Sequence, residues 1–371
     1  MSSDRPALTA VAMSGGLDSS VTAWLLAQRG EAVIGLSMLL WDRSQEETHG
    51  RCCGALDLGD AKRVAQQCGI SHYTLRMDEE FARQVVDPFV EDYLQGRTPS
   101  PCIRCNSWIK FDLFLDRAQQ LGADKMATGH YARIVSSADG WQLHKALDES
   151  KDQSYYLFEL TQKQLAAARF PLGEMSKGAV RELAREAGLV VCEKPESMEI
   201  CFVSSGVREF VEERLAEFPE RYSQDVPPVA SQIVDSEGRL LGEGQPYYRY
   251  TVGQRRGLGI AAPEKLYVLG VEPAANRVVV GSEKELAAAG LSGERTHWIG
   301  QPPAGEITAT VKIRSRHAGV VSQIRPLDEG RVEVAFETPQ LGVTPGQAAV
   351  FYRDTQVLGG CWIRGRDEDS G

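Results

Sequence analysis

The sequence predicts an α/β protein: a doubly wound parallel sheet, followed by a small α+β module and a C-terminal β-barrel. Strand-like and helix-like periodicities alternate up to about residue 135. A glycine turn, Ser14-Gly15-Gly16, follows the first apolar strand. From about His297 short alternating strands recur at regular spacing, which suggests a barrel. In order, the first region reads as strand Leu8–Met13, helix Ser19–Gln28, strand Ala32–Leu39, helix Asp60–Cys68, strand Ser71–Leu75 and helix Glu79–Gln95, with Lys125–His130 ending a later strand. Residues 151–200 turn helical, with polar starts and helical spacing at Thr161–Arg169 and Ser176–Gly188. The stretches Ile233–Leu240, Leu266–Val271 and Val278–Val280 read as hairpins of a small glycine-rich module. The closing strands are Ile307–Ile313, Val320–Ile324, Val332–Phe336, Ala348–Tyr352 and Gln356–Trp362. The expected domains are therefore 1–204, 205–284 and 285–371.

A chain of 371 residues with 42% hydrophobic and 25% charged residues is an ordinary globular composition, long enough for two or three domains. No apolar run approaches the length of a membrane span, and the polar start at Met1–Pro6 is unlike a secretory leader, so a cytoplasmic, membrane-free protein is expected. A monomer is the expected oligomeric state. Eight cysteines at positions 52, 53, 68, 102, 105, 192, 201 and 361 are too sparse for a disulfide scaffold and read as buried or catalytic thiols. A net charge of −10 argues against indiscriminate nucleic-acid binding. It leaves room for local basic surfaces at Val311–His317 and Gln254-Arg255-Arg256, while acidic residues gather near Glu209–Glu220 and at the C-terminus.

The stretch Ala10-Val11-Ala12-Met13-Ser14-Gly15-Gly16-Leu17-Asp18-Ser19-Ser20 runs an apolar strand into a glycine turn and a hydroxyl-rich helix start. Gly15 and Gly16 let the backbone approach phosphates. Ser14, Ser19, Ser20 and the first helical N–H groups offer donors to anionic oxygens, and Asp18 could hold magnesium. In an open α/β sheet ligands bind at the carboxyl ends of strands, where this loop lies, and Met38 and Gly129 end strands at the same edge. They could frame adenine and ribose, although a core position is the ordinary role of such a methionine. A Walker loop would need Gly-Lys before Ser or Thr, and a dinucleotide fingerprint a third glycine further on; both are missing. The stretch resembles instead the SGGxDS signature of the PP-loop ATP pyrophosphatases, whose Rossmann-like, adenine nucleotide α-hydrolase-like domain cleaves ATP between the α and β phosphates. That resemblance implies adenylation of a substrate oxygen.

Thr98-Pro99-Ser100-Pro101-Cys102-Ile103-Arg104-Cys105-Asn106 is a two-proline loop that delivers a C-x-x-C just before an expected helix, Asn106–Leu121. A cysteine at a helix start beside Arg104 and Lys110 is expected to ionise easily, and the thiolate is the nucleophile. Three readings compete. A structural zinc site needs two such pairs, a redox pair needs its own fold context, and a catalytic thiol needs a distant partner. Cys201, in Ser197-Met198-Glu199-Ile200-Cys201-Phe202-Val203 after Lys194-Pro195-Glu196, is a candidate partner, although a lone cysteine among apolar neighbours is ordinarily a core residue.

Taken together, Ser14–Ser19, Gly129-His130-Tyr131, Lys151–Tyr156, Ile200-Cys201-Phe202, Gly253-Gln254-Arg255-Arg256-Gly257-Leu258-Gly259 and Thr344-Pro345-Gly346-Gln347 resemble, in order, the blocks of the bacterial tRNA-specific 2-thiouridylases. The resemblance covers nearly the whole chain. It implies adenylation of the C2 oxygen of the wobble uridine in tRNAs for Gln, Lys and Glu, then replacement by sulfur from a cysteine persulfide loaded by a cysteine desulfurase or sulfur-relay protein. It implies that Ala12, Met13, Ser14, Gly15, Gly16, Leu17, Asp18 and Ser19, with Met38 and Gly129, bind ATP with Mg²⁺. Cys201 would carry the persulfide, and Cys105 would release the sulfur and close a transient disulfide with Cys201. Ser100, Pro101 and Cys102 would touch the target base, and His130, Lys151, Asp152, Gln153, Arg314, Ser315 and Gln347 would contact tRNA.

The chain departs from the family at Cys102, where many members carry aspartate. Cys102, Cys105 and Cys201 could then hold a 4Fe-4S cluster with one iron open to sulfur, as in some related tRNA thiolases, so a disulfide relay and a cluster stand as alternatives. Cys52 and Cys53 could be purely structural. A PP-loop ligase acting on a small molecule would explain the ATP loop but leave Cys105, Cys201 and the barrel without a role. An ATP-sensing RNA-binding module would not require the cysteines. The segment Arg97–Cys105 must bring a thiol to a stacked base and is expected to be mobile without tRNA.

Overall fold

The first strand, β1 (Leu8–Ala12), is buried on both faces from Thr9 onward, as a central parallel strand must be. In the computed structural model, which describes residues 6–41, 55–195, 200–203, 206–222 and 230–366, β1 pairs in parallel with β2 (Ala32–Leu39). Its other neighbour is β4 (Lys125–Ala127), and β3 (Ser71–Arg76) lies outside β2. A hairpin, β5 (Ala132–Ser137) and β6 (Gly140–Lys145), follows, and the two-residue β7 (Ala168–Arg169) completes the sheet in the order β3-β2-β1-β4-β7. The helix α1 (Leu17–Gln28) buries Val21, Ala23 and Leu26. With α2 (Ala55–Gln67) and the helix Lys177–Glu186 it supplies a core containing Val11, Met13, Val64, Val180 and Leu189. Met13 packs over Gly35, where a Cβ would lie 2.5 Å from its sulfur.

The chain divides into two compact units. The first comprises residues 1–86, 102–203 and 355–357, where Gln356 and Val357 pair with His144 and Leu143 of β6. The second comprises residues 87–101, 204–354 and 358–371. In it, β8 (Ser231–Asp235) and β9 (Leu240–Gly244) form one hairpin, and β10 (Tyr267–Glu272) and β11 (Arg277–Gly281) form another. A parallel pairing of β8 with β11 joins them into a sheet of order β10-β11-β8-β9.

The remaining strands are β12 (Ala287–Trp298), β13 (Ile307–Lys312), β14 (Val320–Pro326), β15 (Val332–Leu341), β16 (Ala348–Arg353) and β17 (Gln356–Arg366). Their order is β12-β15-β14-β13-β16-β17, and β12 also pairs with β17, so the sheet closes into an antiparallel barrel without an edge. Leu291, Val311, Ile324, Val334, Phe351 and Cys361 fill it.

Several elements differ from expectation. β12, the β5–β6 hairpin and the helix Val207–Glu217 are present where neither strand nor helix is expected. The acidic run near Glu209–Glu220 is not simply a solvated face. Its Arg214 is 5% exposed, stacks on the Phe218 ring and reaches Asp87, which also accepts hydrogen bonds from Arg221 and Tyr222. The helix expected from Asn106 begins instead at Pro101 and continues through Cys105–Phe114, wound as π-helix, to Gln120. Proline is suited to that first helical position because the missing N–H would have no partner there.

Candidate active site

The turn after β1 is built around two steric demands at Gly15. Its φ is +73°, and a Cβ there would lie 2.0 Å from the backbone oxygen of Asp57 at the start of α2. Gly16 caps α1 without a side-chain hydrogen bond, so the first turn of the helix presents its N–H groups and positive dipole end to a ligand. The Ser14 amide donates to Ser19 Oγ at 3.1 Å, and the two hydroxyls lie 3.2 Å apart, which gathers oxygen donors at the same point. Gly129, just past β4, closes the far side: a Cβ on it would come within 2.8 Å of the Asp18–Ser19 backbone. Met38 is half-buried at the carboxyl end of β2. Because β2 and β4 flank β1, Met38 and Gly129 bracket the turn, as expected. The uncapped helix start, the glycine turn and the open strand edge together suit a pyrophosphate-bearing nucleotide.

Not every residue of the stretch is free to act. Ser20 is fully buried and donates back to the Gly16 carbonyl at 2.8 Å, so it is no phosphate donor. Met13 donates to Leu36, accepts from Ser37 Oγ at 2.6 Å and buries its side chain. Leu17 is a core residue, and Ala12 is 8% exposed. The accessible side chains narrow to Ser14 and Asp18, with the Gly15–Gly16 backbone between them; Ser19 is 6% exposed and also donates to the Gly16 carbonyl, at 3.2 Å.

Asp18 is engaged by two groups that the sequence did not single out. Lys177 Nζ donates to both of its carboxylate oxygens at 2.7 and 2.9 Å, and the Tyr131 hydroxyl donates at 2.9 Å. Lys177 is the first residue of its helix, and its amide donates to Asp148. Tyr131 is held by Gln153, whose side chain accepts from the Tyr131 amide and whose own amide donates to the Tyr131 carbonyl. Asp152 accepts from the amides of Ala146 and Ser154 and from the Ser154 hydroxyl. Asp152 and Gln153 thus shape the turn that delivers Tyr131, while Lys151 beside them is half-buried.

A second lysine, Lys194, donates to the Gly15 carbonyl at 2.9 Å and to Asp57 and Asp60 at 2.5 Å each. Burial works against ionising these groups. The Lys194 bonds outweigh it: the Asp60 carboxyl, aided by Arg63, titrates below its ordinary range, and the Lys194 ammonium is held charged above its own. A single lysine has no periodic signature, so sequence reasoning had little means to find either one.

Cys102 is exposed in the first helical turn, Cys105 is buried one turn later, and Cys201 is half-buried. The thiol at the helix start is therefore Cys102, and the argument for easy ionisation of Cys105 at that place fails. Phe202, next to Cys201, packs edge-on against Phe81 with ring centroids 5.6 Å apart, and the Asp78–Phe81 turn also packs on the Cys105–Phe114 helix. Among the described residues no three His, Cys, Asp or Glu side chains converge as a metal-ligand set, so Cys102, Cys105 and Cys201 do not fit a cluster as placed. Cys52 and Cys53 lie outside the described residues. Cys361 is barrel core, where burial pushes its thiol pKa upward.

His130 differs from an RNA-facing residue. It is 9% exposed, packs with the rings of Phe111 and Phe170 in a three-ring cluster with Nδ1 2.7 Å from the Thr128 hydroxyl, and burial holds its pKa well below the ordinary value, so it is neutral.

In the second unit, Arg314 and Gln347 line one groove of about 510 Å³ with Thr98, Thr251 and Thr344; Ser315 is half-buried beside Arg314. The groove explains the Thr344-Pro345-Gly346-Gln347 block. Pro345 accepts from the Thr98 amide at 2.8 Å, and Gln347 Nε2 donates to the carbonyls of Thr98 and Pro99 at 2.8 and 3.2 Å. Gly346, with φ +89°, leaves the space a Cβ would take 3.0 Å from Arg97 and Thr98. The segment expected to be mobile is thus pinned at 97–99, and Ser100 and Pro101 after it are buried, leaving Cys102 as the exposed member of that trio. Arg255 and Arg256 are exposed on the turn whose Gln254 accepts from Val268. Among the described residues no helix is long and apolar enough to cross a membrane.

Comparison with known proteins agrees with this organisation. Residues 8–205 match the tRNA methyl transferase HUP domain family, 222–282 the tRNA methyl transferase PRC-barrel domain and 288–363 the aminomethyltransferase beta-barrel domain. The tRNA-specific 2-thiouridylase MnmA of Geotalea uraniireducens (strain Rf4) is 51% identical over 95% of this chain and 94% of its own length. Those of Geobacter metallireducens (strain ATCC 53774 / DSM 7210 / GS-15) and Solibacter usitatus (strain Ellin6076) are 49% and 47% identical over 95% of this chain, and over 95% and 98% of their own lengths. With a parallel-sheet nucleotide domain, a PRC-barrel module and a closed barrel all in place, the chain belongs to the family of tRNA-specific 2-thiouridylases.

Proposed function

We propose that this protein is an ATP-dependent tRNA-uridine 2-sulfurtransferase that acts in the cytoplasm as a monomer on the wobble uridine of tRNAs for Gln, Lys and Glu. The observation that carries the reading is one unit holding both an uncapped, glycine-turned helix start behind β1 and two cysteine-bearing segments that pack on the same Asp78–Phe81 turn. The Ser14–Ser19 turn binds the phosphates. Asp18 would hold the Mg²⁺ that accompanies ATP and neutralises its phosphates, and Lys177, paired with Asp18, would add a second cation beside the pyrophosphate. Bonding AMP to the C2 oxygen turns an amide-like oxygen into a leaving group. The outer sulfur of a Cys201 persulfide, supplied by a desulfurase or relay protein, attacks C2, and AMP departs. The Cys105 thiolate then attacks the inner sulfur, freeing 2-thiouridine and leaving a Cys105–Cys201 disulfide to be reduced before the next turnover. Arg255, Arg256 and Arg314 offer exposed cations to the RNA backbone. The division into domains 1–204, 205–284 and 285–371 separates this chemistry from two RNA-holding modules.

The test is Cys201→Ser assayed with tRNA, ATP and a persulfide donor. Thiolated uridine is expected to vanish while tRNA affinity persists. Unchanged thiolation would overturn the reading.

A further inference from the structure

Lys194 stands apart from the residues assigned above, yet it touches three pieces of the first unit. Its ammonium has three N–H donors, and the three acceptors it meets are Gly15 O, Asp57 Oδ1 and Asp60 Oδ2. The side chains are well shielded: Lys194 is 15% exposed, Asp57 8% and Asp60 14%. A cation so placed attracts both carboxylates and fixes the direction of one loop carbonyl.

That direction matters because the Gly15–Gly16 peptide is planar and trans. With the Gly15 C=O turned toward Lys194, the Gly16 N–H must point the opposite way, away from Lys194. The close approach of Gly15 to the Asp57 carbonyl oxygen, at the place a Cβ would occupy, holds the same peptide from the α2 side. A flipped peptide would turn a carbonyl oxygen toward the side where an anion must sit.

We propose that Lys194 is a positioning residue: held between Asp57 and Asp60, it sets the Gly15–Gly16 peptide to receive a nucleotide phosphate. The inference rests on the ATP reading of Ser14–Ser19.

The experiment uses the full chain and the magnesium complex of α,β-methylene ATP, which cannot be cleaved between the α and β phosphates. Binding of the analogue, and of adenosine, which carries no phosphate, is measured by calorimetry beside a thermal melt. Lys194→Gln is expected to bind the analogue about tenfold more weakly, the loss of one charge-organised set of hydrogen bonds. Its affinity for adenosine should not change. Should Lys194→Gln fail to fold, Lys194→Arg keeps a cation between Asp57 and Asp60, but its planar fork cannot reproduce the three-way geometry of an ammonium. It is expected to show the same phosphate-specific loss, smaller in size.

A folded variant with wild-type nucleotide affinity overturns the proposal. So does a variant that loses affinity for adenosine and for the analogue equally. A wild-type chain that does not bind the analogue at all sinks the ATP reading itself, which separates the two failures.

Discussion

Asp18 shares its carboxylate between Lys177 and Tyr131, so the residue assigned to magnesium is already neutralised before any metal or nucleotide arrives. Lys177 is 13% exposed on its side chain, and Asp18 is 32% exposed. That asymmetry puts the carboxylate on the accessible side and the ammonium behind it. Lys177→Met removes one charge-assisted pair and one cation from an anion site, and kcat/KM for ATP is expected to fall by about tenfold to a hundredfold. Because Asp18 is partly solvated, the same change should shift the melting temperature little. Steady-state kinetics with varied ATP, read beside a thermal melt, checks both. Retained kcat/KM would show that Lys177 serves the fold alone.

Among the elements, those built on strong local rules were legible in the chain. The run from β1 through α1 to β2 combines continuous apolar strands, a glycine turn and helical spacing, and its expected bounds lie within two residues of those found. β12 had no such signal. Its sequence, Ala287-Ala288-Ala289-Gly290-Leu291-Ser292-Gly293-Glu294-Arg295-Thr296-His297-Trp298, does not alternate, and it is a strand because β15 and β17 pair with it and close the barrel. Gly293 is needed there because a Cβ would lie 2.3 Å from Cys361 Sγ. The start of the Cys105 helix was misplaced for a different reason: Pro101 reads as a loop residue unless it is recognised as a first helical position. Of the candidate site, the phosphate turn was visible because glycines and hydroxyls crowd into a few residues. The pinning of 97–99 by Gln347 was invisible because it spans distant parts of the chain. Gln347→Ala leaves the Thr98 and Pro99 carbonyls without that donor, and the Thr98 amide should exchange faster by roughly 5- to 30-fold, corresponding to about 1–2 kcal/mol. Exchange at Val334 in the barrel core should not change. Equal protection at Thr98 would mean that Pro345 alone holds the segment.

For the molecule as a whole, one buried and three half-buried histidines tie stability to pH. His72, His130 and His144 in the first unit and His317 in the second all have pKa values lowered, in each case chiefly by burial. A histidine depressed in this way binds fewer protons folded than unfolded. Its stabilising effect is therefore complete above the unfolded pKa of about 6.5 and is lost as pH falls below it, by roughly 1.4 kcal/mol per pH unit for each proton that only the unfolded chain binds. The Asp60 carboxyl, held low against the cost of burial by Lys194 and Arg63, adds a loss of the same sign below its ordinary value of 3.8. The whole chain should thus weaken as it is acidified through the range 6.5 to 5, before its carboxylates titrate. The steepest part should belong to the first unit, where His130 is buried against the Phe111 and Phe170 rings. His130→Phe keeps an aromatic ring in that place and removes the proton. Guanidinium unfolding followed at pH 7.5 and pH 5 should show a smaller acid loss in the variant than in the wild type, at a modest cost at pH 7.5 for the Thr128 hydrogen bond it gives up. Equal acid losses in the two proteins would place the pH dependence elsewhere, with His72 and His144 the next groups to replace.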